Sequence, residues 1–516
     1  MSQTTLIRLI KSLSKSEKRQ FMLSTKKQAG GKDYLYLFDL IDAEDFPQMK
    51  FIEAAFSKRH PGSSVNNAAR YLEKLVTDSL VQSKVKDDHA FRLMHGLMRV
   101  NVLAERNLQE ESYRELKKLE ELATASQHYF FLPLIQRVEL NYLADSNFAN
   151  MAEKELVEKQ MKTRETLKTM RDTHELYSLF ELLKFRLTHS GKVMSDEGRR
   201  QLNDLLLSEV GLVTGRIRNN FESGKLHLMF QSFFFTDIGD YRSALKTFHE
   251  LNRLFEQNTA IWSHPPLDYL FSLDGILDSL RTVGLHQEMR FYIDKISRLS
   301  QPEYPEHFCF LTEKLKVIYD LAIMTDSGQY SEALAYAQKV NPLLFKMHTL
   351  VHYEKQWELL FYFAKTYFGV RDFSRAQKQI NAVVLIGKIN YQSTVYRAAM
   401  LLNLIIHYEC GNREYLEYEV RSNKRALRAK GKMTKTEALI FKVIGFNPAR
   451  NRTGRNQQWL AKITPTIYAV EADKYEMQLR KYFDFTGWIK EKLGHPADNP
   501  KQGLRTVRRT KKNSPS

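Results

Sequence analysis

One helical-hairpin pattern recurs through the middle of this chain, from residue 226 to residue 418. In each copy an apolar helix is followed by a turn. A small or apolar residue, of the kind usually buried, follows the turn at a fixed distance in sequence. When Ala244, Met289, Ala333 and Ala376 are aligned as equivalent positions, the copies are 45, 44 and 43 residues apart. A repeat of this length predicts a stacked array of helix pairs, because one pair cannot bury both of its faces without a neighbour on each side.

Glycines mark the turns of this pattern. Gly239, Gly284 and Gly328 stand where one helix ends and the next begins, since glycine adopts left-handed backbone conformations without steric cost. In the fourth copy the glycine is displaced to Gly369, and Arg371 occupies the position where the glycine belongs. The apolar helices before the turns are predicted at 226–235, 270–280, 315–324 and 357–368.

The residues after the turns resemble the second helix of tetratricopeptide repeats (TPR). That family has a glycine, an aromatic residue two positions on, an alanine three further on, and an aromatic or apolar residue four beyond the alanine. The pattern is complete in the copy Gly239, Tyr241, Ala244, Phe248 and partial in the copy Gly328, Tyr330, Ala333. The resemblance implies an all-α solenoid of TPR-like hairpins, although the period of about 44 exceeds the usual period of about 34 residues.

A TPR-like solenoid implies noncatalytic binding of a protein or peptide on the concave face formed by the first helices. On that face the apolar side chains would supply contact area, and the charged side chains would orient the partner. The resemblance places eight side chains on that face: Met229, Phe233, Asp274, Asp278, Arg281, Phe361, Lys365 and Phe368. Asp274, Asp278 and Arg281 also suit an ion pair within their own helix.

The sequence divides into five segments. An N-terminal helical domain is predicted at 1–90, degenerate helical repeats at 91–222, and the TPR-like repeats at 223–420. A basic segment with a C-terminal capping helix follows at 421–494, and a basic disordered tail at 495–516.

The N-terminal domain has two interpretations, a cap for the array or a helix-turn-helix unit that reads DNA. Ser14-Lys15-Ser16-Glu17 has the form of a helix capping box, and the stretch from Leu13 to Arg19 is also weakly similar to uncharacterised repeat proteins of Bacteroidota bacteria. A later helix is expected to begin after Ser64 as its N-cap. It carries Asn66, Asn67 and Arg70 near its start, where a recognition helix presents base-reading side chains.

The positive charge of the chain is concentrated near its C-terminus. The formal net charge is +18, and residues 421–460 contain eleven Lys or Arg but one acid, Glu437. Such a cluster is either a solvated surface or a site for nucleic acid or another polyanion, so a nucleic-acid-associated regulator is the alternative function. The candidate polyanion-binding residues are Arg421, Lys424, Arg425, Arg428, Lys432, Lys435, Arg450, Arg452 and Arg455. Phe441, Phe446 and Trp459 are the aromatic residues available there to stack on bases.

No motif predicts catalysis, a cofactor or a metal. The chain lacks a glycine-rich phosphate loop, and His348 and His352 have no evident third ligand, with Thr349 where a zinc protease requires glutamate. Two cysteines suggest no disulfide framework and a reducing cytoplasm, and no apolar run approaches the roughly 18 residues that span a membrane. We therefore expect a cytoplasmic, non-enzymatic protein without a membrane partner. The oligomeric state is not indicated.

Overall fold

The computed structural model describes residues 3–25, 33–44, 48–149, 151–190, 193, 195–213, 220–301, 304–340, 342–346, 353–385, 391–429, 433–446 and 453–492. Over these residues the chain is 82% helix and contains no strand, which confirms the predicted all-α class. The chain forms two compact units, residues 1–370 and residues 371–516. The boundary between the two units, at residues 370 and 371, falls inside the predicted 223–420 segment. The division into five segments stays a prediction.

The first unit contains nineteen of the helices described. They are α1 (Gln3–Lys11), α2 (Lys15–Thr25), α3 (Asp33–Ala43), α4 (Met49–Arg59), α5 (Val65–Asp87), α6 (His89–Glu105), α7 (Gln109–Ala125), α8 (Leu132–Asp145), α9 (Glu153–Ser190), α10 (Asp196–Arg200), α11 (Asn203–Val213), α12 (Phe221–Asp237), α13 (Tyr241–Gln257), α14 (Leu267–Val283), α15 (His286–Arg298), α16 (Glu306–Asp326), α17 (Tyr330–Ala337), α18 (Leu343–Lys346) and α19 (Tyr353–Gly369). Within the segment predicted as degenerate repeats, residues 196–213 form two helices, α10 and α11, and not one.

Helices α1 to α5 enclose one apolar core, in which Ile10, Leu37, Phe56 and Leu72 are almost completely buried. The predicted capping box at the start of α2 is present, because the Ser14 N–H donates to Glu17 Oε2 at 2.7 Å and the Glu17 N–H donates to Ser14 Oγ at 3.2 Å. Ser64 does occupy the N-cap position of α5, but its side chain makes no capping hydrogen bond.

From α5 to α16 the helices pack in chain order, except that α9 packs against α12 across the two helices between them. The contacts run α5–α6, α6–α7, α7–α8 and α8–α9, then from α9 to α12, and on through α13, α14, α15 and α16. The 38-residue helix α9 joins the two runs, because it packs against both α8 and α12. Helix α16 packs against α14, the first helix of the preceding pair, and against α19, the first helix of the following pair.

A left-handed residue precedes each second helix of the central pairs. The angle φ is +78° at Gly239, +82° at Gly284, +74° at Gly328, +63° at Arg371 and +75° at Gly411. The second helices begin two residues later, at Tyr241, His286, Tyr330, Phe373 and Arg413. Gly411 marks a turn that the sequence analysis did not identify.

The structure also explains the displaced glycine of the fourth copy. Arg371 holds the left-handed turn, whereas Gly369 is the last residue of α19 and packs under the ring of Tyr330, where a Cβ atom would lie 2.0 Å from a ring carbon. Gly369 is therefore required for close packing and not for the turn. Ala244, Met289, Ala333 and Ala376, three residues after the start of their helices, are all fully buried.

The second unit contains seven of the helices described. They are α20 (Phe373–Val384), α21 (Thr394–Glu409), α22 (Arg413–Ala429), α23 (Lys435–Ile444), α24 (Thr453–Ala472), α25 (Met477–Arg480) and α26 (Phe485–Lys492). Helix α21 lies at its centre, is buried from Thr394 to His407, and contacts α20, α22, α23 and α25. In place of the single predicted C-terminal capping helix, the chain forms two short helices, α25 and α26. Asp484 precedes the second of them and accepts the Gly487 N–H at 2.9 Å. The predicted tail at 495–516 lies outside the described residues.

We expect Gly284→Ala to destabilise the protein by about 1 kcal/mol, because a Cβ at this left-handed position adds backbone strain without steric contact. Gly211 is the matched control: it lies in α11, and a Cβ there also meets no atom within 4 Å. Gly211→Ala should be neutral or stabilising, since alanine favours a helix. Thermal unfolding followed by circular dichroism measures both changes. Equal unfolding temperatures for the two variants would contradict the role given to the turn.

Candidate binding face

The first helices of successive pairs, α12, α14, α16 and α19, share polar contacts. In these contacts a side chain on one helix meets a side chain that lies about one repeat interval away in sequence. Lys225 on α12 meets Asp268 on α14, Asp274 on α14 meets Tyr319 on α16, and Lys314 on α16 meets Gln356 on α19. The separations are 43, 45 and 42 residues. We call this row of contacts, together with the contact between Arg281 on α14 and Asp326 on α16, the charged ladder.

Arg281 and Lys365, both predicted as partner-binding, meet at a single carboxylate. Arg281 Nε lies 3.0 Å from Asp326 Oδ2, and Lys365 Nζ lies 2.5 Å from Asp326 Oδ1. Both cations are 4% exposed, and the guanidinium also lies 4.9 Å from the centre of the Tyr362 ring. Burial by itself would raise the pKa of Asp326, but the charges and hydrogen bonds of Lys365 and Arg281 outweigh it and lower that pKa. The carboxylate therefore stays ionised and holds both cations.

Asp274 is the centre of a second group. The Tyr319 hydroxyl donates to Asp274 Oδ1 at 2.6 Å, and Lys355 Nζ lies 2.7 Å from the same oxygen and 3.2 Å from Glu358. Burial, followed by the charge of Asp274, raises the pKa of Tyr319 well above its ordinary value. The hydroxyl therefore remains a proton donor, and the carboxylate is fixed in orientation.

The pKa values of Lys225 and Lys314 are shifted in opposite directions. Lys225 Nζ lies 2.8 Å from Glu222 and 2.9 Å from Asp268, and these carboxylates more than offset burial, so its pKa is raised. Lys314 is fully buried, and its amino group donates to the side-chain oxygen of Gln356. Because no carboxylate among the described residues stabilises the charge, burial lowers the pKa of Lys314 to about 8.

The other residues predicted for the binding face have different degrees of exposure. Met229 is 7% exposed and Phe361 is fully buried, so their side chains pack beneath the surface. Phe233 and Phe368 are half-buried, and the Phe233 ring packs edge-on against Phe180 with centroids 5.5 Å apart. Asp278 is half-buried on the same helix face as Asp274.

Several members of the site were missed by the sequence analysis, Phe271 and Asp326 among them. Phe271 is 50% exposed and lies on the α14 face that carries Asp274 and Asp278, three and seven residues on. Asp326 was missed because it is the last residue of its helix and the residues next to it in sequence form no recognisable motif. The repeat interval itself was the available signal, since Asp326 lies 45 residues after Arg281 and 39 before Lys365.

The basic segment exposes three arginines on helix α22. Arg421, Arg425 and Arg428 are exposed and lie on one helix face at spacings of four and three. Arg421 pairs with Glu417 at 3.2 Å. Within the described parts of the chain, Arg425 and Arg428 have no ion pair.

Other predicted members of the polyanion site are in different environments. Lys424 is half-buried, 5.9 Å from the Phe441 ring centre, and Lys435 pairs with Asp473 at 2.5 Å. Lys432, Arg450 and Arg452 lie outside the described residues, as does the side chain of Arg455.

The acid and the aromatic residues of the basic segment mainly contact other residues of the protein. Glu437 is fully buried and accepts two hydrogen bonds from Arg397, the shorter of the two at 2.5 Å. It therefore does not neutralise the surface arginines. Phe441 is fully buried, and Phe446 stacks on Trp459 with centroids 3.9 Å apart.

The helix-turn-helix candidates Asn66, Asn67 and Arg70 are exposed on the first turns of α5. In the described part of the chain, no group of three or more His, Cys, Asp or Glu residues could hold a metal ion, and His348 and His352 lie outside it. No helix among the described residues combines the length and the apolarity needed to cross a membrane. Cys309 and Cys410 form no disulfide within the described part of the chain.

Comparison with known proteins adds no assignment: no family model matches this chain, and no curated protein does.

We expect the double variant Lys314→Met, Gln356→Leu to stabilise the protein by about 1–3 kcal/mol at pH 7, because it replaces a buried cation and its amide partner with apolar groups. The folded-state pKa of Lys314, about 8, lies below the ordinary value of 10.5. The unfolded chain therefore binds more protons between these values, and the stability of the natural protein rises with pH through that window. The advantage of the variant should shrink accordingly.

Urea unfolding at pH 7 and at pH 9.5 measures this effect. Lys316→Met is the control on the same helix, because it leaves Lys314 and hence the pH slope in place. An advantage of the double variant that is the same at both pH values would refute the buried charge.

Proposed function

We propose that this protein is a noncatalytic interaction protein, an α-solenoid of TPR-like hairpins that binds a protein or peptide on the face formed by α12, α14, α16 and α19. The charged ladder is the observation that supports this proposal. Asp274 and Tyr319 are 45 residues apart, as are Arg281 and Asp326. In a stacked array, equivalent positions of successive repeats lie side by side, so contacts at one repeat interval are what stacking produces.

The ladder also suits the surface to recognition. Apart from Lys314, whose partner is the Gln356 amide, its cations and carboxylates are held by one another, so little side-chain entropy remains to be lost when a partner binds. Phe271 offers exposed apolar area beside the carboxylates of Asp274 and Asp278. An aromatic anchor flanked by fixed charges is typical of an energetically dominant contact in protein interfaces.

Phe271→Ala should weaken partner binding, whereas Phe291→Ala should not. Phe291 is the matched control, because it is 60% exposed on α15, the second helix of the same pair, against 50% for Phe271 on α14. Loss of an anchoring aromatic residue weakens binding roughly fivefold to thirtyfold. Quantitative affinity capture with the purified full chain and each variant would measure this. Partners lost equally from both variants, or from neither, would place the binding surface elsewhere.

The exposed arginines of α22 favour a second function, association with nucleic acid or another polyanion. Arg425 and Arg428 lack ion pairs within the described parts of the chain, and the nearby acid Glu437 is bound internally by Arg397. Cations held on one face of a helix can neutralise successive phosphates and release the ions that surround them.

If this second function is correct, replacing Arg421, Arg425 and Arg428 with Gln will reduce binding to a labelled single-stranded oligonucleotide. The slope of log K against log salt should fall by about 2, since each phosphate contact on a single strand contributes about 0.7. Arg164, Lys168 and Arg171 on α9 are exposed at the same spacing, so their replacement with Gln is the control. Fluorescence anisotropy across a salt series distinguishes the two. No binding at low salt, or an equal loss in the control, would exclude α22 as the site.

A further inference from the structure

A cavity of about 350 Å³ lies in the first unit, and what it could bind goes beyond the proposed function of the binding face. It is lined by the α5–α6 junction, the α7–α8 turn, helix α9, the start of α12, and the connection between α13 and α14. A volume of this size is in the range of small-molecule sites, which are commonly lined by apolar walls and a few fixed polar groups.

The charges lining the cavity are predominantly negative. Four carboxylates line it, from Asp87, Asp88, Glu222 and Asp268, against one ammonium group, that of Lys225. Lys225 is held between Glu222 and Asp268, and Asp88 accepts the backbone N–H of Ala90 at 2.8 Å. The Asp87 carboxylate has no hydrogen bond or ion pair to the residues described. A cation in the cavity would therefore meet an uncompensated carboxylate.

His89 contributes a neutral ring to the lining of the cavity. Burial is the main cause that lowers the pKa of His89, so the imidazole is neutral near pH 7. The ring interacts as a donor with the carbonyl of Ala260, and its Nδ1 atom is buried away from the cavity. The ring therefore adds no positive charge that would oppose a bound cation.

The remaining walls are flat and aromatic. Tyr177, Phe221, Phe255 and Trp262 line the cavity, and the Trp262 indole is fixed by stacking on Tyr269, with centroids 4.4 Å apart. The indole N–H is already bonded to the carbonyl of Phe255 at 2.8 Å, so this wall offers its ring surface. Aromatic faces attract cations and stack on planar groups.

We propose that this cavity binds a small, flat organic cation, an amidinium or guanidinium group carried on or beside a ring. Its N–H groups would meet the carboxylate of Asp87, and its plane would lie against the aromatic walls. The same cationic group could belong to a free small molecule or to an arginine side chain of a peptide.

Isothermal titration of the purified full chain with benzamidine tests the proposal, with benzamide as the neutral control of the same shape. We expect saturable 1:1 binding of benzamidine, and binding of benzamide that is at least about tenfold weaker. N-acetylarginine amide separates the sources: tighter binding than benzamidine indicates an arginine side chain, and weaker binding a free small molecule. No saturable binding, or equal binding of benzamide, overturns the proposal.

Two variants place the binding in this cavity. Asp87→Asn should weaken benzamidine binding about fivefold, whereas Asp145→Asn should have no effect. Asp87 and Asp145 are both exposed and both end a helix, α5 and α8, but Asp145 does not line the cavity. Ala90→Phe, which fills the space, should abolish binding without lowering the unfolding temperature. Unchanged affinity in both Asp87→Asn and Ala90→Phe would overturn the assignment.

Discussion

The left-handed turn before each second helix is the constraint on which the central pairs depend. A positive φ lets the chain leave one helix and enter the next within three residues, as at Gly284, where the angle is +82°. The second helix then returns close to the first, and its fourth residue is fully buried against it, as Ala333 is. The equivalent residue of α15, Met289, is larger and equally buried, so the pairs share the turn geometry but not the side-chain size at this position.

Packing of similar pairs brings together side chains that are far apart in sequence. Arg281 reaches Asp326, which in turn binds Lys365, although these residues belong to three different helices. Removing such charges from water costs several kcal/mol for each ion, and the cost is offset only when every charge has a partner. The charged ladder therefore stabilises one register of neighbouring pairs over others, since a shifted register would leave buried charges unpaired. The same contacts hold Asp274 in place at the surface.

The predicted binding residues separate into two groups for a physical reason. A helical pattern shows which side chains share a face, but it does not show which of them a neighbouring pair will cover. Phe361 and Met229 lie in the core because the adjacent helices cover them, while Phe271 remains half-exposed one turn before Asp274. Arginine and lysine usually lie at the protein surface, and the burial of Arg281 and Lys365 depends on the Asp326 carboxylate of α16. The cavity near Asp87 could not be predicted from local sequence, because its walls come from segments nearly 180 residues apart.

Local sequence by itself determined the helical class, the turns at Gly239, Gly284 and Gly328, the capping box at Ser14, and the small or apolar residues at the close approaches. These features depend on backbone conformation and on residues within a few positions of one another. Tertiary structure alone decided that Arg371 adopts a left-handed turn, that Glu437 is buried against Arg397, and that four carboxylates gather around one cavity. Each of these outcomes depends on groups brought together from distant segments, and their burial and charge exist only once the helices have packed.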